Sequence, residues 1–349
     1  MRSCADNAMV AKVHALYGGR LRGSDYEKLL QSKSVADVAA YLKNETGYSA
    51  ILGEVKEELI HRGQLESLVR RRNLNSCMSL LHYSYDDKFF FELYVRENEI
   101  RQLLLALRLL NANSMDRYIV ALPVYLSRHM SFDLFAVADA RSYDDLLAIV
   151  SHSSYHAILS RFRPVSADRH VDITACERAL EEAYYKTALA RVDKYYTGST
   201  QTALRQLLHS KIDYHNLMVA VRLKRYFHFP AQRVRESMVQ IKTELSPALA
   251  FDEILNARDE HEVADAIHNA YLSRKFKLSA DSALSDLSVR LNLSEKNLYH
   301  RLFRFSTKPV IVVLSYMFML EIEVGNIVNI IEGIRYQLPP EEIRSLLIV

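Results

Sequence analysis

Apolar residues recur along this chain at helical spacing, and one arrangement of them returns three times. The stretches Glu99–Arg108, Asp213–Arg222 and Glu323–Glu332 each open on an acid. Each places a side-chain amide three positions on, at Gln102, Asn216 and Asn326, and sets apolar residues at the fifth, eighth and ninth places. Residues three apart share a helix face. Each acid therefore stands beside its amide, along a stripe formed by Ile100, Leu103 and Leu107, by Tyr214, Leu217 and Val221, or by Val324, Ile327 and Ile331. Two roles are open to these polar pairs. They tie neighbouring helices together at the edge of a core, or they surround a pseudo-threefold axis and line a shared polar cavity.

A second pattern has the same period of about 110 residues. Ser34 with Asp37, Ser142 with Asp145 and Asp259 with Glu262 are capping boxes: the cap accepts one free backbone N–H and the acid reaches back to another. Each precedes an apolar helix pattern: Val38, Ala39 and Leu42; Leu146, Leu147 and Val150; Val263, Ala264 and Ile267. A basic residue (Lys33, Arg141, Arg258) stands one place before each cap. Tyr48-Ser49-Ala50-Ile51-Leu52 is answered by Tyr155-His156-Ala157-Ile158-Leu159. Two independent signatures at one spacing predict a triplicated unit. The expected architecture is all-α, with three similar helical subdomains over 1–117, 118–230 and 231–349.

Composition agrees with that class. Nine glycines and seven prolines in 349 residues leave glycine well under half its usual ~7%. Turns are few, and no stretch alternates apolar and polar residues long enough to demand a strand. A net charge of +3 lacks the bias of a phosphate-neutralising surface, so no nucleic-acid partner is expected. The basic run Arg70-Arg71-Arg72 reads as a solvated helix face. Three cysteines, Cys4, Cys77 and Cys176, suggest a reducing setting without a disulfide framework. The longest apolar run, Val310 to Leu320, falls short of the ~20 residues of a membrane span.

Motifs for catalysis are near misses. His261-Glu262-Val263-Ala264-Asp265 has Asp265 where a zinc-protease helix has its second histidine. His152 and His156 lie four apart without a third ligand nearby. Gly18-Gly19-Arg20-Leu21-Arg22-Gly23-Ser24 lacks the Gly-Lys-Ser/Thr ending of a phosphate loop; Ser24 with Glu27 reads instead as the box of the next helix. No cofactor or metal site is expected, and the chain is expected not to be an enzyme.

The threefold acid–amide helix resembles the C subunits of the V-type (A/V-type) rotary ATPases, the counterparts of the d subunits of eukaryotic V-ATPases. The C-terminal stretch carries the resemblance most closely, from Pro309-Val310-Ile311-Val312-Val313-Leu314-Ser315-Tyr316 through Glu321-Ile322-Glu323-Val324-Gly325-Asn326-Ile327 to Gly333 and Leu338-Pro339-Pro340-Glu341-Glu342-Ile343-Arg344. Tyr26 through Leu42 is also similar. Gly325 and Val328 stand where the family usually has basic residues, and Gln102 replaces the first Asn. The resemblance implies a non-catalytic, funnel-shaped protein, present once per complex and peripheral on the cytoplasmic face. It would join the shaft subunits (D and F) to the membrane rotor ring, coupling ATP turnover to H⁺ or Na⁺ movement. A helical-repeat scaffold unrelated to ATPases is the alternative.

Overall fold

The capping boxes at Ser34 and Ser142 start the helices that the sequence assigns to them. A computed structural model of the chain describes residues 2–84, 87–165, 170–243, 252–258, 262–263, 265–266 and 287–349. Among these it is helical, with no strand. The helices are α1 (Arg2–Gly18), α2 (Gly23–Leu30), α3 (Val35–Glu45), α4 (Ser49–Leu52), α5 (Arg62–Leu81), α6 (Phe89–Asn111), α7 (Leu134–Asp139) and α8 (Tyr143–Ile149). There follow α9 (His156–Leu159), α10 (Ile173–Tyr195), α11 (Gly198–Phe227), α12 (Ala231–Ser237), α13 (Asp252–Asn256), α14 (Leu287–Phe305), α15 (Pro309–Arg335) and α16 (Pro340–Ser345).

At the start of α3 the Ser34 hydroxyl accepts from the N–H of Asp37 at 3.1 Å, and Asp37 accepts from the N–H groups of Ser34 and Lys33 at 3.0 Å. Ser142, Asp145 and Arg141 repeat those three bonds at the start of α8. They hold the Asp145 carboxyl below the usual carboxylate range, the bond from Arg141 first. In the third copy the N–H of Arg258 donates to Glu262 at 2.6 Å, the counterpart of the Lys33 and Arg141 bonds. Its cap Asp259, with His261, Ala264 and Ile267, lies outside the described residues. The box at α2 differs from expectation. The helix begins at Gly23, and Asp25 accepts from the N–H of Arg22 at 2.6 Å. Ser24 lies inside the first turn, and Glu27 pairs instead with Arg344. An acid at the third helical position can reach back to the cap; Glu27, two places on, cannot.

The chain packs as two compact units. One comprises residues 1–94, 120–128 and 296–349; the other comprises 95–119 and 129–295. This division by packing does not follow the repeat period, because each signature helix packs on the capping-box segment of a different repeat. In the first unit Val324, Ile327 and Ile331 of α15 share one buried cluster with Val38, Ala39 and Leu42 of α3 and with Tyr48 and Leu52. In the second unit Tyr214, Leu217 and Val221 of α11 share a cluster with Ile254, Leu255 and Val263.

Helix α15 is long and apolar enough to cross a membrane by length and composition, but 83% of its most apolar window is buried inside the unit. It packs on α1, α3, α5 and α16, as the central helix of a core does. Gly333 lets α16 approach: a Cβ there would lie 2.5 Å from a side-chain carbon of Ile343.

In the second unit α10 and α11 are joined by His215 Nε2 and Glu181 at 2.8 Å. Burial disfavours the charged imidazole, but the hydrogen bond and charge of Glu181 outweigh it and raise the His215 pKa. A folded pKa above the unfolded value gives stability that is complete below the unfolded pKa of about 6.5 and is lost as pH rises through the folded value. His215→Gln is expected to remove that loss. Urea midpoints at about pH 6 and pH 9 check it: the wild type should lose more stability between the two than the variant.

Candidate functional site: the buried acid and amide positions

The third signature acid accepts three hydrogen bonds and faces a second guanidinium. Glu323 is fully buried on α15. Its Oε1 accepts from the Tyr48 hydroxyl at 2.9 Å and from Arg72 Nη1 at 2.8 Å. Its Oε2 accepts from the Leu21 N–H at 2.9 Å and faces Arg20 Nε at 3.3 Å. Three hydrogen-bond donors and the charge of Arg20, all from the N-terminal 72 residues, thus converge on one side chain. Arg72 also lies over the Tyr48 ring at 4.1 Å and donates to the carbonyl of Gly19 at 2.5 Å. Gly47 fits beneath: a Cβ there would lie 2.6 Å from the Gly19 oxygen.

The electrostatics follow from burial. Burial first, and the Glu323 charge next, push the Tyr48 hydroxyl well above its ordinary pKa, so it stays a neutral donor. Burial opposes the charge on Arg72, but Tyr48 and Glu323 outweigh it and raise its pKa. Next to the cluster, Tyr17 is 3.2 Å from His300 Nδ1. Burial, with Arg20 and Lys296 nearby, lowers His300 to about 4, so it is uncharged at neutral pH.

The first acid repeats the theme. Glu99, buried on α6, accepts from the Tyr155 hydroxyl at 2.7 Å and from the N–H of Ser131. Tyr155 opens the second Tyr-x-Ala-Ile-Leu stretch as Tyr48 opens the first, and burial and Glu99 raise its pKa likewise. Asp213 on α11 accepts from the Thr243 hydroxyl at 2.5 Å.

The amides clamp backbone. Asn326 Nδ2 donates to the carbonyl of Ile348 at 3.0 Å and its Oδ1 accepts the N–H of the same residue at 2.8 Å. Asn216 does the same to Val239, at 3.1 and 2.8 Å. A planar primary amide matches one residue's N–H and C=O as a neighbouring strand would. Gln102 departs from this: its Oε1 is buried with no hydrogen-bond partner.

All six positions are buried, and five of them are bonded to segments 22 or more residues away in sequence. The sequence pattern did not reveal Tyr48, Tyr155, Arg20 and Arg72 as their partners. The repeat of Tyr48 in Tyr155 was the one available sign. Arg72 is a correction to the basic run read as solvated: it is 9% exposed, because its place on α5 faces Glu323. Gly325 is exposed, and a side chain there would meet nothing within 4 Å, so a basic residue is not barred by space. Cys77 and Cys176 are buried free thiols. Burial first raises both, Cys176 to about 12. Among the described residues no three His, Cys, Asp or Glu side chains are placed to hold a metal.

Among the described residues the chain is helical, and its buried polar groups tie segments distant in sequence to one another. A family model described as ATP synthase (C/AC39) subunit matches residues 9–346, nearly the whole chain, and the protein belongs to that family. No curated protein matches the sequence.

Proposed function

We propose that the protein is the non-catalytic central-stalk subunit of a V-type ATPase or ATP synthase. It joins the rotating shaft, made of the D and F subunits, to the membrane rotor ring, and so links ATP turnover to H⁺ or Na⁺ transport. It sits peripherally at the cytoplasmic face and meets the membrane through the ring. The match of residues 9–346 to the ATP synthase subunit family carries this reading. The buried ties support the mechanical part. Torque is transmitted without loss only through a body that does not yield. Shearing α15 from the N-terminal segment would have to expose an ion cluster held by three hydrogen bonds and the charge of Arg20.

The test is co-purification. A tagged copy drawn from detergent-solubilised membranes should bring shaft and ring subunits with it, and should keep the ring after the shaft subunits are stripped. Recovery of the chain with neither partner would reject the role.

A further inference from the structure

In the second unit, where α9 meets α10, a cavity of about 390 Å³ opens whose charge its own surroundings do not balance. It is lined by three alanines, Ala157, Ala179 and Ala183, and by three cations, Arg161, Arg178 and Lys186. Glu182 is the one carboxylate in the lining, and it serves two of the cations: Arg178 at 3.4 Å and Lys186 at 2.5 Å. Arg161 has no carboxylate partner among the described residues; its contact is the Phe162 ring at 5.7 Å. The Nε of Arg178 is buried without a hydrogen-bond partner. Three positive charges thus face one negative, with guanidinium donors to spare.

The first Tyr-x-Ala-Ile-Leu stretch lacks the charge of Arg161. The Tyr48 stretch keeps Ala50 and Ile51 where the Tyr155 stretch has Ala157 and Ile158. At the same spacing of 107 residues, Arg161 is answered by Glu54. Of the lining, Ala157 and Ile158 have like residues in the first copy, whereas Ala179 and Ala183 are answered by Arg72 and Ser76.

Cation-rimmed clefts recognise acidic segments, and arginine grips carboxylates bidentately. Alanines in the lining let a second polypeptide approach closely. A small phosphorylated ligand would fit an enclosed site better than this one, where Ala157, Arg161 and Lys186 are all exposed. We propose that this groove seats an acidic segment of a neighbouring ATP synthase subunit, its carboxylates on Arg161 and Arg178 and its apolar side on the alanines. This rests on the assembly reading given above.

The test uses the assembled complex. With p-benzoylphenylalanine in place of the exposed Ala157, irradiation is expected to cross-link the chain to one subunit, at a peptide rich in Asp or Glu. Arg161→Glu with Lys186→Glu is expected to abolish the cross-link. It should also weaken rebinding to a complex stripped of this subunit by at least about tenfold, while Arg161→Lys keeps most of it. Both substituted residues are exposed, and an unchanged urea midpoint confirms that the variant folds. Wild-type co-purification without a cross-link, or unchanged rebinding of the double variant, overturns the groove and leaves the assembly role standing. So does charge-dependent binding to phosphatidylglycerol vesicles in place of a protein partner. Failure of the wild type itself to co-purify would instead overturn the assembly role.

Discussion

Glu323→Ala is expected to destabilise the protein by about 3–5 kcal/mol, the usual cost of removing one partner of a buried ion pair. The wild-type carboxylate answers the guanidiniums of Arg20 and Arg72, the Tyr48 hydroxyl and the Leu21 N–H, with no exposure of its own. Its loss leaves two positive charges in a dry site with no counter-charge, and the desolvation of an unpaired charge exceeds the lost attraction. Two comparisons separate this cause from loss of side-chain volume. Glu54→Ala, at an exposed loop position, should change stability by no more than about 0.5 kcal/mol. Arg72→Met added to Glu323→Ala should recover stability, because it removes one stranded charge. A coupling above about 1 kcal/mol in that double-mutant cycle is expected. Urea midpoints at unchanged m-value give all three quantities.

The three signature amides should differ in a fixed order. Asn216→Ala leaves the buried N–H and C=O of Val239 without partners. At ~1–3 kcal/mol for each unsatisfied group the loss should be about 2–6 kcal/mol. Asn326→Ala strands the same groups of Ile348, but these are only partly buried. Water replaces part of the lost bonding, and about 1–2 kcal/mol is expected. Gln102→Ala removes an amide whose oxygen has no partner, and its cost should stay under about 1 kcal/mol. Equal losses at all three positions would contradict the clamp reading.

These residues show what the sequence made legible and where it stopped. The acid–amide pairs could be found because they recur with the helices that carry them, and the capping boxes because their chemistry is local: five consecutive residues contain every donor and acceptor. The partners of the acids are another matter. Tyr48 and Glu323 are 275 positions apart, and periodicity on one helix says only which face is buried, not what it is buried against. Arg72 misled for the same reason. In a run of three arginines the sequence cannot tell which one faces inward, and here the turn of α5 points the last at Glu323. The packing units were hidden too. The signatures recur along the sequence about every 110 residues, whereas the core is made where a signature helix meets a segment distant in sequence. Gln102 was visible as a departure from Asn, and of the three signature amides its oxygen is the one left without a partner.

The groove beside α10 was hidden for a further reason. Arg161, Arg178 and Lys186 come from two segments and form no run in the sequence. Only their convergence around three alanines makes them a site.

The coupling role is tested most directly by transport. Vesicles holding the ATP synthase complex stripped of this protein should hydrolyse ATP without building an ion gradient, and adding the purified chain back should restore the gradient. A gradient of full size formed in its absence, at the same rate of ATP hydrolysis, would contradict the account.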